Sequence, residues 1–374
     1  MAKPLLIFLL SLWVTACQTK EKTENTSQKS FFEYARHIDL KDLGELKILQ
    51  IKKPYPGGKN RQYLLKTKRS YVPDSLKNLP QIQIPLKNIV VTSTTHLPAL
   101  SMLGLADKLI GFPGLDYISN PVFRQKIKEG KITDLGNGRQ LNTEVLLKLH
   151  PDLLMRFSSG QDQNNDRFME QQGIPILYNA DWMEQNPLGR AEWIKLFGLL
   201  FQKEAQADSI FKEIKTNYQH IQSQLDTSLT RPKVFQGGLF GDKWYVPGGK
   251  SYAVQLIKDA GGKYMWSNDQ HTGSIVLNFE NVLLKLPEAD VWLNPGLAEN
   301  RLSLVNQLPV IKDFKMVKAG RIYTYNLKKG PTGGIIYFEE SNAYPDRVLN
   351  DLYHIFHPQK KDNYQFYYYT KLPQ

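Results

Sequence analysis

The sequence predicts an α/β protein: two α/β lobes with parallel-rich sheets, joined by one long rigid helix and preceded by an N-terminal β extension. Three observations predict it. From Lys87 onward, and again after residue 226, short apolar strands alternate with helical stretches across short links, the pattern of a parallel sheet covered on both faces. Between these regions, residues 203–226 (KEAQADSIFKEIKTNYQHIQSQLD) contain no Gly or Pro. They place Ala207, Ile210, Phe211, Ile214, Tyr218, Ile221 and Leu225 on one helical stripe, roughly 36 Å long if unbroken. Finally, one phrase is written twice: LNTEVLLKLHPD from Leu141 and LNFENVLLKLPEAD from Leu277. Each copy runs into a proline and a hydrophobic strand, and each falls in a different lobe. At 374 residues the chain is too long for one typical core.

The elements follow in order. Residues 1–16, MAKPLLIFLLSLWVTA, carry a lysine, an apolar run and small residues, and read as a secretory signal peptide too short to span a bilayer. Val14-Thr15-Ala16-Cys17 resembles the lipobox of bacterial lipoproteins, which implies that Cys17 is lipidated and becomes the mature N-terminus. Several acyl chains exceed what stable anchoring requires. Residues 17–30 then form a lipidated flexible tether, since QTKEKTENTSQKS has no apolar anchor. Residues 31–86 hold strand-like runs (LKILQI, QYLLKT) and the turn Tyr55-Pro-Gly-Gly, a small β extension on the first lobe. Residues 87–202 are the N-terminal lobe: strands in KNIVVTST, KLIGF, DLLMRF and PILYN, and helices in HLPALSMLGLA, NPVFRQKIKEG, the first twin motif, DRFMEQQG and GRAEWIKLFGLLF. Asn-Pro at the start and Gly at the end frame the second of these helices. Residues 227–374 are the C-terminal lobe and tail, in which PKVFQGGLF, KWYVP, SIVLNF, DVWLN and RIYTYN alternate with helical stretches.

Composition narrows the classes of function. Apolar residues are 41% and charged residues 22% of the chain, the balance of a globular protein. The net charge of +12 suits anionic solutes, anionic lipid or nucleic acid. An exported lipoprotein meets solutes and membrane surfaces, so no nucleic-acid partner is expected, and we expect a monomer. Cys17 is the one cysteine, which leaves no disulfide and no thiol nucleophile.

Catalytic patterns fail one after another. Val246-Pro-Gly-Gly-Lys-Ser251 imitates the end of a phosphate-binding loop, but Trp244 stands where its first glycine belongs; Gly248 and Gly249 read instead as a turn before a helix. There is no G-x-S-x-G, no H-E-x-x-H and no ligand spacing among the histidines. A hydrolase on this fold would have to draw on Asp116, Asp181, Glu339 and Glu340. We therefore expect neither catalysis, a bound metal nor a cofactor. Aromatic residues point elsewhere. Tyr117, Phe157 and Trp182 follow strand ends in the first lobe; Trp244, Tyr252 and Trp266 cluster in the second, with Asn294 after another strand. Ligands of open α/β sheets sit outside the carboxyl ends of the strands. Aromatic-lined clefts hold sizeable organic ligands, oriented by a few polar groups. These seven are the candidate ligand-binding residues.

From about Lys87 to His357 the chain resembles the substrate-binding proteins of ABC importers for iron–siderophore complexes, haem and cobalamin. The resemblance rests on KNIVVTSTTHLPALSMLGLADKLIGFPG, LNTEVLLKLHPDLLM, the bridging helix and LNFENVLLKLPEADVWLNPG. It implies two lobes with modest closure about one helix, and a metal-chelate ligand: a ferric siderophore first, a corrinoid or haem next. It also implies an ABC permease as partner, with one surface glutamate per lobe meeting permease arginines. Glu144 and Glu280 match those positions. Such charge-assisted pairs fix register and orientation more than affinity. Zinc- and manganese-binding relatives share the architecture and hold metal with several histidines and a carboxylate. His96 stands where one such ligand would be, and the others have no match.

Overall fold

Carboxylates of the N-terminal lobe hold the segment just ahead of the first strand. In this computed structural model, residues 30–136, 141–161, 163–226, 228, 230–358 and 363–374 are described; the signal segment, Cys17 and most of the tether lie outside them. Strands β1 (Ile38–Asp42), β2 (Leu46–Ile51) and β3 (Arg61–Lys66) form an antiparallel meander, and β4 (Gln81–Gln83) joins β3 in parallel. One face buries Leu49, Ile51, Tyr63, Leu65 and Ile82. Ahead of β1, Glu192 accepts the backbone N–H groups of Glu33, Tyr34 and Ala35 at 2.7, 2.7 and 2.9 Å. Glu184 accepts those of Arg36 and His37 at 2.9 and 2.8 Å. Lys195 pairs with Glu192 at 2.9 Å. A buried carboxylate is tolerated only with such partners, so these contacts fasten the extension to the lobe.

The N-terminal lobe is a five-stranded parallel sheet of β5 (Ile89–Val91), β6 (Leu109–Phe112), β7 (Thr133–Asp134), β8 (Leu154–Arg156) and β9 (Ile176–Tyr178), in the order β7-β6-β5-β8-β9. Strands β5, β8 and β9 are buried throughout, as helices on both faces require. The helices are α1 (Leu97–Met102), α2 (Pro121–Lys128), α3 (Thr143–Leu149), α4 (Gln163–Gln171), α5 (Pro187–Glu192) and α6 (Ile194–Phe201). GRAEWIKLFGLLF, read as one helix, is thus two, meeting at Trp193. The bridging helix α7 spans Glu204–Ser223, 20 residues, or about 30 Å. It buries Ala207, Phe211, Ile214, Tyr218 and Ile221.

The C-terminal lobe departs from simple alternation. Its main sheet joins β10 (Lys233–Gln236), β13 (Lys263–Tyr264), β15 (Val291–Leu293) and β16 (Ile322–Thr324) in parallel, with β17 (Thr370–Lys371) antiparallel at the edge. A second, antiparallel sheet contains β11 (Gly238–Phe240), β12 (Lys243–Pro247) and β14 (Ser274–Asn278). KWYVP and SIVLNF therefore lie outside the parallel sheet. The reason is local: only Gly241 and Asp242 separate β11 from β12, and Gly241 has the positive φ of 63° that such tight hairpins demand. The helices are α8 (Tyr252–Asp259), α9 (Phe279–Leu283), α10 (Arg301–Gln307), α11 (Lys315–Lys318), α12 (Ile336–Glu340) and α13 (Pro345–Phe356).

The twin motifs occupy equivalent places. In each lobe the motif helix, α3 or α9, precedes a strand that pairs with the lobe's first strand: β8 with β5, β15 with β10. Asn142 caps α3, accepting the Val145 N–H at 3.1 Å. Asn278 does not cap α9; its side chain accepts from Lys243 at 3.2 Å. No helix among the described residues is long and apolar enough to cross a membrane.

Candidate ligand-binding cleft

Strand order reverses between β5 and β8 in one lobe and between β10 and β15 in the other, and crevices open outside the carboxyl ends at such points. In the C-terminal lobe a cavity of about 340 Å³ lies there, reached by Gln236 from β10, Tyr245 from β12, Asn294 after β15 and Tyr325 after β16. Phe240, Tyr245 and Phe338 leave about half their surface exposed on its wall. Larger cavities exist, but lysine and arginine line them.

The N-terminal lobe approaches this cavity, whose lining residues all belong to the C-terminal lobe, through the loop after β6. Gly334, next to the lining residue Ile335, packs so closely on the Tyr117 carbonyl that a Cβ atom would sit 2.4 Å from it. Tyr117 itself is 64% exposed. Hydrogen bonds fasten the two lobes beside this point. Glu339 accepts the Ser119 and Asn120 N–H groups at 2.6 and 3.0 Å. Ser119 Oγ donates to the Gly334 carbonyl at 3.0 Å, and Thr332 Oγ1 donates to that of Asp116 at 2.7 Å. Burial pushes Glu339 up to about 7, against the pull of its two amide donors.

The seven candidate residues divide. Asn294 lines the cavity, with its backbone at φ 55°. Its Oδ1 accepts the Tyr325 N–H at 3.3 Å. Its Nδ2 is buried without a hydrogen bond of standard geometry, beside the Tyr369 phenol. Tyr117 is exposed at the lobe junction. Phe157, partly exposed, packs on Trp182 with ring centroids 5.4 Å apart. Asn294 alone of the seven lines the cavity; the remaining three serve the core and the lobe junction. Trp244 is 0% exposed, packed on Phe235 and Trp292 in the core of the C-terminal lobe. Strand alternation turns Trp244 inward and its neighbour Tyr245 outward. Trp266 packs on Phe235 and Tyr264. Tyr252 lies under the Arg190 guanidinium, 3.8 Å from its ring centroid, and donates to the Ser341 carbonyl at 2.9 Å, so it joins the lobes instead.

Several contributors escaped the sequence reading. Tyr325 stacks on Tyr337 at 3.9 Å, and Tyr369 of the C-terminal tail packs on both rings. Asp351, fully buried, holds that tail by accepting the N–H groups of Tyr367, Tyr368 and Tyr369 at 2.8, 2.7 and 3.0 Å and the Tyr364 hydroxyl at 2.7 Å. The tyrosine-rich run NYQFYYYT was the available signal.

The carboxylates nominated for hydrolysis are spread over separate tasks. Glu339 holds the lobe junction, and Asp181 accepts from Asn342 at 3.3 Å. Glu340 accepts the Tyr368 hydroxyl at 3.3 Å, and Asp116 is exposed. His96 is buried with neither ring nitrogen bonded, and burial pushes it down to about 4 despite the nearby Asp181. Among the described residues no group of three or more His, Cys, Asp or Glu side chains could hold a metal. Glu144 and Glu280 are exposed in the first turns of α3 and α9, with Glu144 paired to Lys148 at 2.7 Å.

Comparison with known proteins agrees with this geometry. The periplasmic binding protein family model matches residues 89–327. An uncharacterized lipoprotein of Methanocaldococcus jannaschii is 25% identical over 413 aligned positions, covering 99% of this chain and 97% of that protein. The fold superposes on a periplasmic haem-binding protein from Pseudomonas aeruginosa with a TM-score of 0.58 and 18% identity, covering 77% of this chain and 99% of that one. It also superposes on the triscatecholate siderophore-binding protein FeuA of Bacillus subtilis, complexed with ferri-bacillibactin, with a TM-score of 0.56 and 15% identity, covering 74% and 94%. With the match spanning both lobes and the helix between them, the chain belongs to the periplasmic binding protein family.

Proposed function

We propose that this chain is the substrate-binding lipoprotein of an ABC importer. It captures a metal chelate, a ferric siderophore first and a corrinoid or haem next, and delivers it to a membrane permease. The observation that carries this reading is the aromatic and amide-lined cavity at the carboxyl ends of β10 and β15, bordered by the Tyr117 loop of the other lobe. Aromatic faces bind flat or ring-bearing organic shells, and amides orient them. The cavity alone holds part of such a ligand, with Tyr117, Phe157 and Trp182 on the opposite lobe to cover the rest.

Glu144 and Glu280 dock the permease in this reading, one from each lobe, through pairs with arginines. The exposed Glu144–Lys148 pair is worth only about 0.3–0.5 kcal/mol and yields readily to a better partner. Cys17 carries the lipid that holds the protein to a membrane outside the cytoplasm; the lipoprotein relative supports this. Domain limits follow the lobes: residues 31–86, 87–202, 203–226 and 227–374.

Tryptophan fluorescence of the full chain in detergent, titrated with a ferric tris-hydroxamate, a ferric tris-catecholate, haemin and cyanocobalamin, tests the reading. Saturable one-to-one binding of at least one probe is expected. No response to any of them contradicts it.

A further inference from the structure

The cavity at the carboxyl ends of β10 and β15 carries no formal charge. None of its lining residues is Lys, Arg, His, Asp or Glu, although charged residues are 22% of the chain. The other sizeable cavities of the described residues differ in this respect. Arg231, Lys250 and Lys263 line one and Lys68, Lys108 and Lys203 another; Arg347 and Lys66 each reach a further one. Among the immediate sequence neighbours of the lining residues only Glu339 is charged, and its carboxylate is committed to the Ser119 and Asn120 amides. Lys328, two residues from Asn326, donates to the Phe366 carbonyl and to that of Tyr367 at 3.1 Å.

Two polar side chains in this wall keep amide atoms outside standard hydrogen bonds, Asn294 through its buried Nδ2 and Gln236. Gln236 is only 8% exposed and lines the cavity, and no hydrogen bond to its amide is found among the described residues. The Gln236 amide atoms are not sealed from solvent, so a ligand carbonyl or amide can take the place of water there.

We infer that the part of the ligand entering this cavity is uncharged and meets the Gln236 amide, so the site favours a chelate with an uncharged outer face over one that is anionic all round. This rests on the chelate-binding reading above. An anionic metal complex entering the wall would shed water without gaining a counter-charge, a heavy penalty in a site of low polarity. A neutral complex with peripheral carbonyl or amide groups pays no such penalty and can satisfy Gln236.

The test compares dissociation constants of the full chain, in detergent at one pH and ionic strength, for a neutral ferric tris-hydroxamate and a trianionic ferric tris-catecholate. The neutral probe should bind at least about 100-fold tighter. Gln236→Met, which keeps the volume, should weaken the neutral probe by about 10-fold, the loss of one hydrogen bond. Ser274→Lys, at an exposed lining position, should narrow the gap by strengthening the anionic probe. Circular dichroism shows that each variant is folded. A tris-catecholate preference in the unaltered chain, or equal affinities, overturns the inference while leaving chelate binding standing. A gap unmoved by both substitutions overturns it as well. Failure of every chelate, haemin and cyanocobalamin included, overturns the underlying reading.

Discussion

The Glu339 carboxylate accepts the Ser119 N–H at 2.6 Å across 220 residues of sequence, joining helix α12 of one lobe to the loop before α2 of the other. It is 1% exposed and raised from 4.5 to about 7. The folded chain therefore holds this proton more tightly than the unfolded chain does. The contribution of that preference to stability is complete below about pH 4.5 and is lost as pH rises through about 7. Stability of the unaltered protein should fall across this window relative to Glu339→Gln, by up to about 1.4 kcal/mol per pH unit. The glutamine also aims a donor at one of two N–H groups, costing about 1–3 kcal/mol. Urea unfolding at a series of pH values checks both; parallel profiles contradict the titration of Glu339.

The cavity wall predicts a division among aromatic substitutions. Tyr245→Ala and Phe338→Ala should each weaken ligand binding by about 1–3 kcal/mol with little loss of stability. Trp244→Ala, in the core, should instead destabilise the fold by about 3–5 kcal/mol. Paired titrations and thermal melts separate the two outcomes. Unchanged affinity in both wall variants moves the site elsewhere.

Asp351→Asn should loosen the C-terminal tail. An amide cannot accept at both oxygen positions, so at least one buried N–H loses its partner, about 1–3 kcal/mol. Because Tyr369 packs on Tyr325 and Tyr337, binding should weaken too. Hydrogen exchange at residues 323–326 should accelerate, while the hairpin of β11 and β12 stays unchanged. Exchange that rises equally in both places denies the tail its link to the cavity.

Cys17→Ala should leave a protein without acyl groups, either uncleaved or released. Mass spectrometry of the membrane fraction decides it, and an unmodified, soluble mature protein from the unaltered gene contradicts the anchor.

What the sequence revealed, and what it hid, has a physical cause. The bridging helix, the parallel strands and the twin motifs are local patterns of period 3.6 or of buried apolar runs, legible without a partner. The face of β12 was not: period-two alternation puts Trp244 and Tyr245 on opposite sides, and residue type alone favoured the wrong one as the wall residue. The lobe junction was hidden for another reason. Glu339 finds Ser119, and Asp351 finds Tyr367 to Tyr369, through contacts that no local period encodes. His96, which stood out among the histidines, became a buried, unbonded ring because α12 packs over its turn.

Capture of a solute and its delivery to a permease through Glu144 and Glu280, as proposed above, can be separated in one variant. Both glutamates lie in first turns, where replacement by Ala should cost folding only about 0.3–1 kcal/mol. The direct measurement is uptake and binding of the same ferric tris-hydroxamate, taken on the Glu144→Ala/Glu280→Ala double variant, with reversal to Lys as the harsher form. Near-normal binding with transport close to abolished is expected. Retained transport in the double variant, or binding lost in step with it, would contradict the docking role.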